Sequence, residues 1–302
     1  MSWECLGKWF SANHFRFCFT NRLQLITFAT IIEQVLYFLE ILGGAMLAYP
    51  GYLVKLNETN AQLVLSIAAQ LAGKGYSSLS PNGVFDAAFK SLVKLYQSQH
   101  SDIVGKPLDV DGEVGSLTWG SLFGAAPVTI APTGEAAGAL GVAISQIGAM
   151  ESPVGSNRGV MVDQYQTAAG LALPAHGNPG FFWCMAFVYW CFRTAGNGTT
   201  QFPRTAGCLN AWNIVKSNYP NRILSQASAL ANPSLVKPGM VFILNHGGGL
   251  GHTGFVRQSI GGALKTVEGN TNPTGSSNGI GVFELNRRRL AEPSLKGFLD
   301  FS

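Results

Sequence analysis

The sequence predicts an α+β fold, with helices in its first two thirds and antiparallel strands in its last third. Apolar residues recur at helical spacing as far as Gly196, and after Pro238-Gly239 the pattern changes to short strands separated by glycine turns. Only 12% of the 302 residues are charged and 37 are glycine, which indicates a loop-rich globular protein. Helices followed by antiparallel strands are typical of the α+β class.

The first 45 residues contain an apolar stretch, residues 23–42, that is interrupted by Glu33 and Glu40. A transmembrane span needs about 20 residues with few charges, and a signal peptide needs a shorter apolar core before its cleavage site. Residues 1–45 are therefore a signal or anchor, an accessory helix, or an over-extended reading frame whose natural start is Met46. Membrane association of this segment stays open.

Three short helices are predicted in the next 80 residues. The first covers residues 60–71, the second follows an Asp86 N-cap, and the third is capped by Ser116 and carries Trp119. Residues 46–124 should form a small three-helix module. The Ala/Pro/Thr/Gly-rich residues 125–135 have the composition of a linker.

Four pieces of this module match a known pattern. They are residues 83–85, 94–97, 111–115 and 118–122, and the specific part is the spacing Asp-Gly-x-Val-Gly-x-x-Thr-Trp. The module resembles the peptidoglycan-binding domain 1 family, although Phe89 stands where the family usually has Thr. The resemblance implies a wall-binding module with Asp111, Gly112 and Trp119 as its characteristic residues. A helical spacer without a ligand is the alternative.

Residues 136–302 are expected to form a second domain. Helices are predicted at residues 136–147 and 160–171 and after Trp183, and strands at 240–244, 254–257, 264–268, 280–285 and 295–301. The basic run of residues 287–289 is interpreted as a solvated strand end. With a net charge of only +4 and no Lys/Arg stripe, the chain is not expected to bind nucleic acid.

Cys184 lies in the first turn of the third helix, which follows Pro179-Gly180 and should end near Gly196. Unpaired N–H groups and the helix dipole stabilise a thiolate at that position. A buried core cysteine is the alternative. Cys191 is about 10 Å farther along the axis and cannot form a disulfide with Cys184. Cys191 and Cys208 are interpreted as core thiols.

A thiolate nucleophile needs a histidine to transfer its proton and an acid or amide to orient that histidine. His252, Glu268 and Asn270 are the candidates, on two strands joined near Gly261-Gly262. A two-residue turn there would put His252 on the face opposite Glu268 and Asn270. A three-residue loop beginning at Ile260, or an equivalent bulge, brings all three to one face. The chemistry therefore predicts the longer loop or the bulge.

Three motifs carry a second resemblance. They are Trp-Cys-x-x-Phe-Val from Trp183, Gly-His-Thr-Gly-Phe-Val around His252, and Glu-Gly-Asn-Thr-Asn from Glu268. From about residue 136 to the end, the chain resembles the CHAP family of cysteine, histidine-dependent amidohydrolases and peptidases, which have a papain-like fold. The resemblance implies that Cys184 is the nucleophile, His252 the general base and acid, and Glu268 the group that orients His252. Asn270 would hold the imidazole or polarise the carbonyl.

The remaining candidates surround this site. Trp183, His246 and Gly251 are groove candidates, and His246 is the less favoured base because His252 leads directly into a strand. Phe182 departs from the small or polar residue usual in the family and would narrow the site. No cofactor or metal is expected, since no C-x-x-C pair or Cys/His cluster is present.

Together these features predict a monomeric hydrolase of bacterial peptidoglycan that acts at the cell wall after secretion or release. It would cleave an amide bond as an N-acetylmuramoyl-L-alanine amidase or a peptide endopeptidase. A non-catalytic wall-binding protein and a papain-like amidase for another substrate are the alternatives. The sequence leaves open whether the protein is an autolysin, a phage endolysin or an antibacterial effector.

Overall fold

The computed structural model describes residues 47–76 and 83–302, so the expectations for residues 1–45 and Met46 lie outside the described part. Within it, eight α-helices accompany a six-stranded antiparallel sheet, and the α+β class is confirmed. The helices are α1 Ala61–Gly73, α2 Ala87–Gln99, α3 Ser116–Phe123, α4 Gly134–Ser145, α5 Val160–Ala168, α6 Cys184–Ala195, α7 Cys208–Asn218 and α8 Gln226–Ala231. Across the described residues, no helix has both the length and the apolar character needed to span a membrane.

The strands are β1 Ile223–Ser225, β2 Val241–Gly247, β3 Leu250–Ile260, β4 Ala263–Thr271, β5 Gly281–Arg289 and β6 Leu295–Leu299. Their spatial order is β1-β6-β2-β3-β4-β5. The elements between α6 and β2, including α7, β1 and α8, were not predicted. The predicted strands are all present, but β2 to β5 are each longer than the sequence pattern indicated, and β6 ends earlier, at Leu299.

Helices α1 to α3 enclose a core of their own, which includes Ile67, Phe85, Tyr96 and Trp119. The predicted Asp86 cap is confirmed, because its Oδ1 accepts a hydrogen bond from the backbone N–H of Phe89 at 2.7 Å. The predicted Ser116 cap is wrong. Gly115 is the N-cap of α3, and Ser116 is the first helical residue.

Helix α6 lies between the sheet and two other helices, α4 and α5. Eight of its twelve residues are buried, which is expected of a helix covered on most sides. Phe187 contacts the rings of Tyr165 on α5 and Phe255 on β3 in edge-on geometry. This packing fixes the start of α6, and therefore Cys184, against β3 and β4.

The register of β3 and β4 decides which residues share a face. Gly261-Gly262 is a two-residue turn, with Ile260 opposite Ala263, so the three-residue loop is wrong. A bulge at Arg257 then shifts the register, so that Val256 faces Thr266 and Phe255 faces Val267. The bulge places one extra residue in β3 and brings His252 to the face of Glu268. The alternative foreseen from the sequence, an equivalent bulge, is therefore correct.

The basic run at the end of β5 is a solvated strand end only at Arg287, which is exposed. Arg288 and Arg289 are only 7% and 6% exposed. Arg289 pairs with Asp102 at 3.2 Å and donates to the carbonyl oxygens of Lys106 and Pro107. The interpretation failed because the loop between α2 and α3 covers this strand end and supplies acceptors for the guanidinium group.

Candidate active site

Cys184 is the first residue of α6 and is only 4% exposed. The helix begins where the backbone N–H of Phe187 donates to the carbonyl of Trp183 at 2.8 Å. The pKa of the Cys184 thiol lies well below its usual value of 9.0, chiefly because Cys208 donates to the sulfur. His252 and the backbone N–H of Met185 lower it further, against the opposing effect of burial. The position at the helix start and these contacts therefore favour the thiolate form of Cys184.

His252 lies on β3 and is completely buried. Its Nε2 lies 2.8 Å from Oε2 of Glu268. Its Nδ1 is buried and has no hydrogen bond of ordinary geometry within the described residues. Burial lowers the pKa of His252, but the interactions with Cys184 and Glu268 outweigh that effect and raise it to about 9. The lowered pKa of Cys184 and the raised pKa of His252 together favour a thiolate–imidazolium pair at neutral pH.

Glu268 lies on β4 and is also completely buried. Arg288 binds its carboxylate with two hydrogen bonds, from Nε to Oε1 at 2.9 Å and from a terminal nitrogen to Oε2 at 2.8 Å. Thr266 donates its hydroxyl to Oε1 at 2.6 Å. Burial raises the pKa of Glu268, while His252 and Arg288 lower it more strongly, to about 2. The carboxylate therefore stays ionised and fixed in one orientation.

Gly254 leaves room for this arrangement. A Cβ atom at that position would lie 2.8 Å from Cγ of Glu268 and 2.6 Å from the carbonyl oxygen of Val267. Both distances are too short for a real contact. The glycine lets the stem of Glu268 cross the strand towards His252.

Asn270 has a positive φ of 55° and is completely buried. The side-chain amide is oriented so that both its oxygen and its nitrogen form hydrogen bonds. The oxygen accepts from the backbone N–H of Trp183 at 3.2 Å, and the nitrogen donates to the carbonyl oxygen of Gly279 at 3.2 Å. These contacts hold Trp183, the residue before Cys184. The structure gives Asn270 this partner instead of the imidazole of His252.

The three groove candidates occupy different positions. Trp183 is completely buried and donates its Nε1–H to Glu151 at 2.9 Å, so it packs beside Cys184 inside the core and does not line a groove. His246 is exposed and bonds Ser277 at 3.0 Å. Gly251 lies beside α7, where a Cβ would be 3.2 Å from Cβ of Cys208. Two exposed apolar side chains lie close in sequence to site residues: Phe182, two residues before Cys184, is 55% exposed, and Leu250, two residues before His252, is 59% exposed.

The characteristic residues of the three-helix module hold its loop and core together. Asp111 accepts hydrogen bonds from Gln97 and from the backbone N–H of Glu113, both at 2.8 Å. Gly112 has a φ of 74° and donates its N–H to Gln97. Trp119 is 2% exposed, stacks on Phe123 and donates to the carbonyl of Leu47 at 3.0 Å.

Sequence reasoning missed two partners in the site. Arg288 binds Glu268, and the sulfur of Cys208 lies 3.6 Å from the sulfur of Cys184. Neither belongs to a local motif. Each becomes visible only when β5 and α7 are packed beside the predicted residues.

Comparison with known proteins agrees with this geometry. A family model described as the CHAP domain matches residues 176–270, which include Cys184, His252, Glu268 and Asn270. No curated protein and no solved structure matches the chain significantly. CHAP domains are generally associated with peptidoglycan hydrolysis by amidase or endopeptidase activity, and the match supports a CHAP-domain hydrolase.

Proposed function

We propose that this protein is a peptidoglycan hydrolase that cleaves an amide bond with Cys184 as nucleophile, His252 as acid and base, and Glu268 as the group that orients His252. One observation carries the proposal. Cys184, His252, Glu268 and Arg288 form a buried series of interacting side chains, and the lowered pKa of Cys184 beside the raised pKa of His252 favours a thiolate next to an imidazolium.

The reaction begins when the Cys184 thiolate attacks the carbonyl carbon of the scissile amide. Backbone N–H groups at the start of α6 stabilise the oxyanion of the tetrahedral intermediate. The His252 imidazolium then donates its proton to the leaving amine, which produces a thioacyl enzyme. His252, now neutral, removes a proton from water, and the resulting attack on the thioester releases the acid and restores the ion pair.

Arg288 acts through Glu268 and is a positioning residue. A buried carboxylate that faced only an imidazole would be free to rotate and would be costly to keep ionised. The two hydrogen bonds from Arg288 remove both problems, since they fix the carboxylate plane and supply a compensating charge. The papain-like order of nucleophilic helix and antiparallel sheet is consistent with this arrangement.

The three-helix module is proposed to bind the wall and so raise the local substrate concentration. A groove of about 420 Å³ lies along it and includes Tyr52 and Leu53, which are 44% and 43% exposed. This is the surface we propose for wall contact. In the inactive Cys184→Ala chain, adding Tyr52→Ala should reduce co-sedimentation with purified wall. Adding Leu95→Ala, an exposed change on α2, should not.

Analysis of the muropeptides released from purified wall by mass spectrometry tests the catalytic proposal. The wild-type chain should release fragments with one newly exposed amine, and Cys184→Ala should release none. Cys191→Ala is the matched control, because Cys191 is another buried cysteine of α6 outside the site. Release by Cys184→Ala would exclude the thiol mechanism. Binding without release by the wild type would favour a non-catalytic wall protein.

The identity of the released fragments separates the two activities. A free lactyl carboxylate on muramic acid indicates an N-acetylmuramoyl-L-alanine amidase, and a new terminus within the stem or cross-link indicates an endopeptidase. Neither binding nor release by the wild-type chain would favour an amidase for a non-wall substrate.

A further inference from the structure

Two thiols meet at the proposed catalytic centre. The sulfur of Cys208 lies 3.6 Å from that of Cys184, and both residues are the first of their helices, α7 and α6. The two side chains are 6% and 4% exposed. Gly251 packs directly over Cys208, and its lack of a side chain allows β3 to approach α7 this closely.

The mechanism above uses only one of these thiols. Cys208 has a raised pKa, because the negative sulfur of Cys184 and burial both disfavour a second thiolate. Cys208 therefore keeps its proton while Cys184 loses its own. The other groups facing the Cys184 sulfur are the His252 imidazolium and the N–H of Met185.

We propose that Cys208 is both a positioning residue for the nucleophile and its disulfide partner. When reduced, it donates its S–H to the Cys184 thiolate. When the site meets a peroxide, the two sulfurs join and the hydrolase is reversibly inactivated. Only the activity part of this inference rests on the proposed function, since the sulfur–sulfur bond forms or fails to form whatever the substrate is.

The oxidation balances with hydrogen peroxide as the two-electron oxidant. The Cys184 thiolate attacks one peroxide oxygen, the O–O bond breaks, and Cys184 becomes a sulfenic acid while hydroxide leaves. The sulfur of Cys208 then attacks the sulfenic sulfur, forming the S–S bond and breaking the S–O bond. Its proton and the departing hydroxide form one water, and the hydroxide released in the first step takes the proton of the His252 imidazolium to form the other. Closing the gap from 3.6 Å to the bonded length of about 2.05 Å requires rotation of the two side chains at their helix starts.

The first test needs no variant. The full chain is exposed to one equivalent of hydrogen peroxide, and its cysteine peptides are mapped by mass spectrometry before and after dithiothreitol. A Cys184–Cys208 linked peptide that dithiothreitol separates, with wall hydrolysis lost and regained in parallel, is the expected result. Cys184 recovered as a sulfinic acid beside a free Cys208 would overturn the disulfide.

Matched variants then separate the two roles. Cys208→Ser keeps a donor but cannot form the bond, so excess peroxide should oxidise its Cys184 beyond the sulfenic acid to the sulfinic acid, and dithiothreitol should not restore its activity. Cys208→Ala also loses the donor. In this variant, iodoacetamide at about pH 6 should alkylate Cys184 at least roughly threefold more slowly than in Cys208→Ser. Equal alkylation rates in the two variants and the wild type would overturn the positioning role. Cys191→Ala is the control and should respond to peroxide like the wild type.

The outcomes also separate this inference from the proposed function. If the chain forms the linked peptide but releases no muropeptides, the disulfide inference is supported and the hydrolase proposal is contradicted. If wall hydrolysis depends on Cys184 but peroxide produces no linked peptide, the hydrolase proposal is supported and the disulfide inference is contradicted.

Discussion

The carboxylate of Glu268 lies 2.8 Å from Nε2 of His252, and neither side chain has any exposed surface. A buried imidazole would ordinarily stay neutral, because burial disfavours its charged form. Here the pKa of His252 is instead raised to about 9 by its ionised neighbours, Cys184 and Glu268. Activity and stability should both depend on this pair.

Glu268→Gln should lower kcat about tenfold to hundredfold, because an amide no longer stabilises the imidazolium that protonates the leaving amine. The alkaline limb of the kcat/KM profile should lie near pH 9 in the wild type and at lower pH in the variant, since the pKa of His252 falls without the carboxylate. Glu284→Gln is the control, because Glu284 pairs with Lys265 away from the site. An unmoved alkaline limb in Glu268→Gln would contradict the orienting role.

Arg288→Lys should lower kcat with little change in KM, because one ammonium group cannot make both hydrogen bonds that now fix the Glu268 carboxylate. We also expect the free energy of unfolding to fall by about 1–3 kcal/mol. Arg257→Lys changes a more exposed arginine of the same sheet and should affect neither quantity. Equal behaviour of the two variants, measured by steady-state kinetics and urea unfolding, would argue against a role for Arg288.

Acid should destabilise the wild-type chain through Glu268. Its pKa is about 2 in the folded protein and 4.5 without the fold's interactions, so the folded state gains stability above pH 4.5 and loses it as pH falls towards 2. The contribution is on the order of 3 kcal/mol. In urea unfolding across this pH range, the free energy of unfolding should decline less in Glu268→Gln than in the wild type. Parallel declines in the two proteins would show that Glu268 is not the group responsible.

Gly254→Ala should destabilise the chain and reduce kcat together, since the new Cβ would lie 2.8 Å from Cγ of Glu268 and 2.6 Å from a backbone oxygen. We expect a loss of about 1–3 kcal/mol. Gly141→Ala in α4 is the matched control, because nothing lies within 4 Å of a Cβ there. That change should stabilise the helix slightly. Thermal unfolding and kinetics of both variants check the difference, and a silent Gly254→Ala would contradict the close packing.

Much of the site was predictable because its residues lie in short, regular contexts. Cys184 follows a Pro-Gly break and begins an apolar helix. His252 and Glu268 lie on the two strands of one hairpin, and the proposed chemistry requires them to share a face of it. The sequence also limited the hairpin to two solutions, a longer loop or a bulge. It did not distinguish them, because a bulge at Arg257 depends on packing around both strands and not on the turn residues.

The partners that arrive from distant segments were not predictable. Arg288 lies in a basic run whose appearance suggested solvent, and it is buried only because β5 pairs with β4 next to Glu268. Cys208 begins a helix that no prediction included, and its chemistry follows from contact with Cys184. The amide of Asn270 was expected to hold the imidazole or to polarise the substrate carbonyl, whereas its side chain, on a backbone of positive φ, contacts the backbone of Trp183 and Gly279.

The ionisation of Cys184 tests the central claim most directly, through the rate of iodoacetamide alkylation at this residue as a function of pH, followed by peptide mapping. The wild type should remain reactive well below the usual thiol pKa of 9.0, and His252→Ala should lose much of that reactivity at acidic pH. A wild-type rate that rises only as pH approaches 9.0, with no difference in His252→Ala, would contradict the thiolate–imidazolium pair.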